Sequence, residues 1–248
     1  MDNKKKKEAL IKFGKRLSQI RKAKKLSFRE LATLCDVDYS DLKKYEKGEV
    51  NITIATLIDI SIGLKELQHV KSIHIIAVNN EVKELLWILE RNYSESIQIK
   101  TTSIKSETNE HFEFALENEV TLEADYSEPL TYLYEPNAAV MKSGGFKSIS
   151  KQFNVNKLHK HSHLYTSDEL MDFPGRIFKI ETVVPYNKKS FKTHNIQKAN
   201  ITTRNFPETV ETIRKKLNIK DGGDEYLFFT TNLHNEKICL ICKKTQHA

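Results

Sequence analysis

Residues 27–48, "SFRELATLCDVDYSDLKKYEKG", constrain the fold more than any other stretch of this chain. Ser27 stands three residues before Glu30, the spacing at which two side chains cap each other's backbone amides and start a helix. "DVD" then makes a turn. Asp38 can accept from the first free amides of a second helix, which Gly48 closes as a residue able to take positive φ. Leu31, Leu34 and Cys35 are expected to face inward from the first of these helices, and Leu42 and Tyr45 from the second. Upstream, "EALIKFGKRLSQIRKAKK" places Leu10, Phe13, Leu17 and Ile20 three or four apart, one apolar stripe on a helix otherwise covered by lysine and arginine. Downstream, "TIATLIDISIGL" supplies a fourth helix with Ile54, Leu57, Ile58 and Ile62 as its buried side, although its β-branched residues favour helix only weakly.

Two short helices around a three-residue turn, backed by a longer amphipathic helix, describe a helix-turn-helix. "LS-x-x-ELA" opens its second helix, "Y-E-x-G" closes the third and "N-x-x-x-x-TL" starts the fourth. On these motifs, residues 8–64 resemble the Cro and lambda-repressor type of helix-turn-helix domain. The resemblance implies that the third helix enters the major groove of duplex DNA. Tyr39, Ser40 and Lys44 would then face base edges, with Arg29, Lys43 and Lys47 near phosphates. It also implies a homodimer on a two-fold site, because one short helix reads few base pairs. Phe28 stands where relatives often present a polar side chain, so a thymine methyl is its expected contact. Residues 26–64 hold four basic and seven acidic groups, so counterion release must come from the first helix and the lysine tail of residues 1–7. A bundle of this pattern could dock a protein instead, and Asp41 and Glu46 on the reading helix keep that reading open.

The net charge of +7 attracts polyanions without specifying one, and its distribution is more informative. Residues 1–25 carry eleven basic groups against two acids, residues 90–130 three against ten, and residues 142–220 sixteen against six. Two basic blocks around an acidic one indicate a modular chain. Three cysteines, Cys35, Cys239 and Cys242, are too few for a disulfide framework. "MDNKKKKEAL" has no apolar run behind its lysines, and no window approaches the length of a membrane span. A cytoplasmic protein is expected, with no membrane partner.

After Leu64 the pattern changes. "SIHIIAV" is a β-rich run, and "EVKELLWILE" is predicted as a helix with Val82, Leu85, Leu86 and Leu89 on one side, an α/β unit joined through Asn-Asn. "HFEFALE" and "EVTLEAD" alternate as half-exposed strands with acidic outer faces, and "NLHNEKICLI" suggests a closing hairpin. The fold class is α+β, an all-α N-terminal bundle followed by a mixed α/β region. "YLYEPNAAVMKSGGFKSISKQF", "HLYTSDELMDFPGRIFKI" and "KANITTRNFPETVETIRKKLNIKDGGDEYLFFTT" resemble the C-terminal part of a bacterial family of class I methyltransferases ending in ferredoxin-like and THUMP-like domains. That resemblance implies a truncated Rossmann-like remnant at 65–100, a ferredoxin-like region at 101–170 and a THUMP-like domain at 171–248. No glycine pair forms G-x-G, so no cofactor loop, no catalytic residue and no enzyme activity are expected.

THUMP-like domains are associated with RNA, which makes structured RNA the second candidate partner. Arg176, Arg204, Arg214, Lys215 and Lys216 are the candidate contacts, with Phe206, Tyr226 and Phe228 interleaved. "FPGR" around Arg176 is equally an ordinary turn with an exposed arginine. His159, His161 and His163 in "HKHSH" read as a basic surface loop rather than a metal edge. Cys239 and Cys242, three apart in a strand, point to opposite faces and read as core thiols, so no metal site is expected. Asp168, Glu169 and Asp172 read as the acidic start of a helix opened by Ser167.

Overall fold

The computed structural model describes residues 3–35, 37–50, 52, 54–64, 69–106, 108–187, 190–191, 193–194 and 196–245. Met1 and Asp2 of the lysine tail, Asn51 of the fourth-helix motif and the side chain of Ile54 lie outside that description. The first four helices are α1 (Asn3–Ala23), α2 (Phe28–Cys35), α3 (Tyr39–Lys47) and α4 (Ile54–Gly63). Both expected caps form. Ser27 N donates to Glu30 Oε2 at 2.7 Å while Glu30 N donates to Ser27 Oγ at 3.2 Å. Asp38 Oδ1 accepts from Ser40 N at 2.7 Å, and Gly48 ends α3 at φ 68°.

The small core of this bundle is Leu17, Leu31, Cys35, Leu42, Ile60 and Leu64, with Phe13, Ile20 and Tyr45 packed around it. Two expectations fail here. Leu34 is 53% exposed, because Leu31 and Cys35, one turn apart, already fill the inward face of α2. Ile62 is 47% exposed, because α4 lies between two cores: Ile60 and Leu64 face the bundle, and Ile58 enters the core of the following body.

That body holds two sheets. β1 (Val70–Val78) and β2 (Glu81–Leu89) pair antiparallel, β3 (Gln98–Ile104) adds parallel to β1, and β4 (Asn109–Ala115) adds antiparallel to β3. The helix expected over "EVKELLWILE" is therefore a strand, and the α/β unit expected there is a hairpin. Asn79 and Asn80 both take positive φ, 49° and 60°, the two left-handed residues that fold a strand back on itself with the twist a hairpin needs. Once paired, Val82, Leu85 and Trp87 pack against the core while Leu86 and Ile88 stay largely exposed. β1 has partners on both edges, which removes the aggregation hazard an orphan apolar strand would carry.

α5 (Leu116–Thr121) replaces the strand expected at "EVTLEAD". Its Glu119 carboxylate accepts from Lys147 N and Ser148 N at 2.8 and 2.7 Å, so this acid caps another helix instead of decorating a sheet. The second sheet comprises β5 (Tyr132–Pro136), β6 (Asn156–Lys157), β7 (Tyr165–Ser167), β8 (Gly175–Pro185), β9 (Lys198–Thr203), β10 (Lys220–Thr231) and β11 (Lys237–Lys244). Its order is β6-β7-β5-β8-β11-β10-β9. α6 (Ala138–Ser143) and α7 (Phe146–Gln152) follow β5, and α8 (Val210–Leu217) lies between β9 and β10. The expected closing hairpin is β10–β11. Ser167 ends β7 rather than opening a helix: its hydroxyl is committed to Tyr134 Oη at 2.9 Å, and residues 168–174 run without helix.

Ile73, Ile75, Ile99, Phe112 and Phe114 of the first sheet, Tyr134 of the second, and Ala139, Val140 and Ile149 of α6 and α7 share one core with Ile58. Cys239 and Cys242 are buried in different clusters on the two faces of the second sheet. Burial pushes both thiols up, which keeps them protonated and unreactive.

His163 lies flat on Phe146, with ring centroids 3.7 Å apart. Burial first, and then the nearby Lys157 charge, lower its pKa to about 4 from the usual 6.5. Between those two values the unfolded chain binds the extra proton and the folded one does not. Stability is therefore full above about pH 6.5 and falls as the pH drops towards 4. A His163→Phe variant should show a flatter denaturation midpoint across that window than the parent, read from thermal melts at a series of pH values.

Candidate nucleic-acid interface

Every residue placed by the sequence on the reading surface lies on the outside of the bundle. Leu42 is fully buried beneath α3, while Tyr39 is 38% exposed and Ser40, Lys44, Lys47 and Arg29 are exposed; Lys43 is half-buried. The arrangement follows from helical periodicity, since burying Leu42 and Tyr45 on one side of α3 turns Ser40, Lys44 and Lys47 to the other. Local contacts order this surface. Phe28 meets Tyr39 edge-on at 6.1 Å, and Lys43 Nζ sits 4.2 Å from the Tyr39 ring centroid. A hydrogen bond from Lys43 lowers the pKa of the Tyr39 phenol below its ordinary value. Phe28 thus supports Tyr39 from the start of α2.

The two acids of α3 have separate structural explanations. Glu46 is buried and bidentate with Arg21 of α1: Nε donates to Oε1 at 2.6 Å and Nη2 to Oε2 at 2.9 Å. Arg21 also donates to Leu26 O at 2.8 Å and lies 3.9 Å over the Phe28 ring. One guanidinium therefore ties α1, the α1–α2 turn, α2 and α3 together, and Glu46 is its counter-charge. Asp41 is exposed and accepts from Lys44 Nζ at 2.7 Å, one turn along the helix. Lys47 pairs more loosely with Glu49, at 3.6 Å. The sequence had no means of separating the internal acid from the surface one, because Arg21 lies twenty-five residues from its partner.

The RNA candidates divide into two groups. Arg176 and Arg204 converge on Glu135, which is only 3% exposed: Arg176 Nε and Nη2 both donate to Oε2, and Arg204 Nη2 donates to Oε1 at 2.8 Å. Arg214 and Lys216, on α8 with Lys215, are tied to Asp221 and Glu208 instead, and Lys216 Nζ lies 4.5 Å over the Tyr186 ring. The interleaved aromatics do not form a stacking platform. Phe228 is 1% exposed, Tyr226 packs on Phe178 at 5.0 Å, and Phe206 packs on Phe229. Aromatic residues interleaved with cations in the sequence did not show that both faces of this sheet are covered.

In "HKHSH", His159 accepts from the amide of His161 and bonds Asn205 and Asn235 while His163 turns inward, so the three rings do not share an edge. Among the described residues no group of three His, Cys, Asp or Glu is placed to hold a metal ion, and no helix is long and apolar enough to cross a membrane.

Comparison with known proteins agrees with this organisation. A family model for the helix-turn-helix matches residues 17–66, one for a ferredoxin-like domain matches 132–174, and one described as THUMP domain-like matches 175–244. The crystal structure of a proposed methyltransferase from Porphyromonas gingivalis W83 superposes with a TM-score of 0.69 at 33% identity. It covers 75% of this chain, which spans only 48% of that protein's length. The restriction-modification controller protein C.AhdI from Aeromonas hydrophila is 34% identical over 23% of this chain and 88% of its own, with a TM-score of 0.23. No curated protein matches the chain. The chain carries a helix-turn-helix domain near its N-terminal end and ferredoxin-like and THUMP-like domains in its C-terminal half.

Proposed function

We propose that this chain is a DNA-binding transcriptional regulator that reads the major groove with α3. The observation that carries the reading is the exposed face of α3. Capped at Asp38 and Gly48 and anchored by buried Leu42, it presents Tyr39, Ser40 and Lys44 together. Arg29, Lys43 and Lys47 flank that face and supply phosphate contacts, with α1 contributing further charge. A protein-docking role has less support, because the buried Glu46 is spent inside the bundle and so leaves Asp41 as the acid of α3 on its outer surface. A homodimer on a two-fold site fits the small number of base pairs one helix can read.

Selection from random duplexes tests this directly: enrichment of one sequence supports it, and recovery of bulk DNA alone defeats it. On the selected site, Lys44→Ala should cost about tenfold in affinity and relax base preference, while Lys43→Ala should weaken all sequences alike and lower the salt slope by about one. Asp41 holds the Lys44 ammonium and adds a negative charge to the face proposed to meet DNA. Asp41→Asn should therefore raise affinity about threefold at low salt, with the gain fading as salt rises, measurable by fluorescence anisotropy.

A second reading, structured-RNA binding by the C-terminal body, is supported by the THUMP domain-like match at 175–244. Its test is competition: structured RNA should displace labelled RNA far better than duplex DNA does, and Lys43→Ala should leave that binding intact.

A further inference from the structure

A cleft of about 670 Å³ opens where the two sheets and the β5–α6 junction meet. The sequence motifs that the DNA-binding reading leaves unused come together there. "EPNA" supplies Glu135 through Ala138, "FPGR" supplies Gly175 and Arg176, and "TTRNF" supplies Arg204. Three further lysines complete the wall: Lys105 from the β3–β4 turn, Lys142 from α6 and Lys244 from the end of β11. Among the described residues, five cations thus line a space in which the lining acid, Glu135, is buried and already bonded through both oxygens to Arg176 and Arg204. Lys105 pairs with Glu110 beside the cleft, and Lys142 Nζ donates to Ile52 O at 3.0 Å, where the cleft borders the helical domain.

Glu135 works as an organiser here. By accepting from both guanidiniums it holds two planar donors in fixed orientation while its own charge is spent, a preorganised arrangement for an anion with several oxygens. The lining also includes the apolar Val82, Pro136, Ala138 and Met141 beside the polar Asn80, Ser106, Thr108 and Asn137. A cavity of this size, with both apolar residues and convergent cations in its lining, has the character of a small-molecule site. It lacks the exposed aromatics on which a single strand would stack, since Phe206, Tyr226 and Phe228 pack into the body. We propose that this cleft binds a phosphate ester of nucleotide size, its phosphates on Arg176, Arg204 and the lysine wall and its less polar part on Val82 and Met141. This site is separate from the α3 surface and does not depend on the DNA-binding reading.

The test is calorimetry on the full chain at low ionic strength with ADP, pyrophosphate and adenosine as probes. ADP should bind at least about tenfold more tightly than adenosine, and pyrophosphate should compete with it. Lys244→Ala, an exposed position, should weaken ADP at least about threefold, and Arg176→Lys should do the same while keeping a cation beside Glu135. Lys43→Ala on the helical domain should leave ADP unchanged. Circular dichroism melts confirm that each variant is folded.

The proposal is overturned if neither ADP nor pyrophosphate binds the parent. It is also overturned if folded Lys244→Ala and Arg176→Lys bind ADP like the parent, or if Lys43→Ala abolishes binding, which would place the anion site on the DNA surface. Binding of an oligoribonucleotide without ADP would instead make these arginines part of an RNA surface, and the small-ligand proposal would fail.

Discussion

Replacing Glu46 with alanine is expected to unfold the helical domain and abolish DNA binding in the same step. Arg21 is 6% exposed and its guanidinium bridges three helices and a turn, so removing Glu46 leaves a buried cation whose counter-charge has gone. Breaking a buried pair from one side costs roughly 3 kcal/mol, because the remaining charge has lost water without gaining a partner. A four-helix bundle whose described core holds six buried side chains has little stability to spare. Thermal denaturation followed on the bundle should show the loss. Glu46→Gln, which keeps an acceptor for Arg21, should be the milder variant. If Glu46→Ala melts like the parent and loses only DNA affinity, Glu46 belongs to the recognition surface and the assignment of this acid is wrong.

Gly175→Ala should be at least as damaging in the C-terminal body. Gly175 pairs with Pro136 at the end of the β5–β8 ladder, and a Cβ added to it would lie deep within the van der Waals envelope of the Glu135 carbonyl oxygen. The obstacle is backbone, so no side-chain rotation relieves it. β5 and β8 must separate or tilt, at a cost of about 3 kcal/mol or more. These two strands join the β6–β7 edge to the rest of the second sheet, so the strain falls on its centre. Reduced soluble yield or a melting point lowered by many degrees would bear this out. A melting point within a degree of the parent's would show that the strands can part at no cost.

The two predictions also show how far the chain could be read before folding. The bundle was legible because its determinants are close in sequence. The Ser27–Glu30 box, the Asp38 cap and the Gly48 stop act over two to four residues, and the burial of Leu42 against the exposure of Ser40 and Lys44 follows from helical period alone. Periodicity identifies an apolar side without saying which of its residues are covered: Leu31 and Cys35 displaced Leu34 from the inward face of α2, and Ile62 was misplaced because α4 serves two cores. In β2 the apolar positions fit helix and strand alike. The left-handed Asn79 and Asn80 and the pairing with β1 decided between them.

The sequence by itself determined the helix-turn-helix, the exposed face of α3 and the α+β class, because caps, turns and short-range periodicity are local energies written in neighbouring residues. Only the tertiary structure decided that Glu46 is the counter-charge of Arg21, that β2 is a strand, and that Glu135, Arg176 and Arg204 meet at one cleft. β2 is set by its hairpin with β1, whereas the buried pair and the cleft depend on sheet order and helix packing across twenty-five to sixty-nine residues. There the stabilising contacts exist only after loop closure has brought distant segments together, and no local pattern in the chain encodes them.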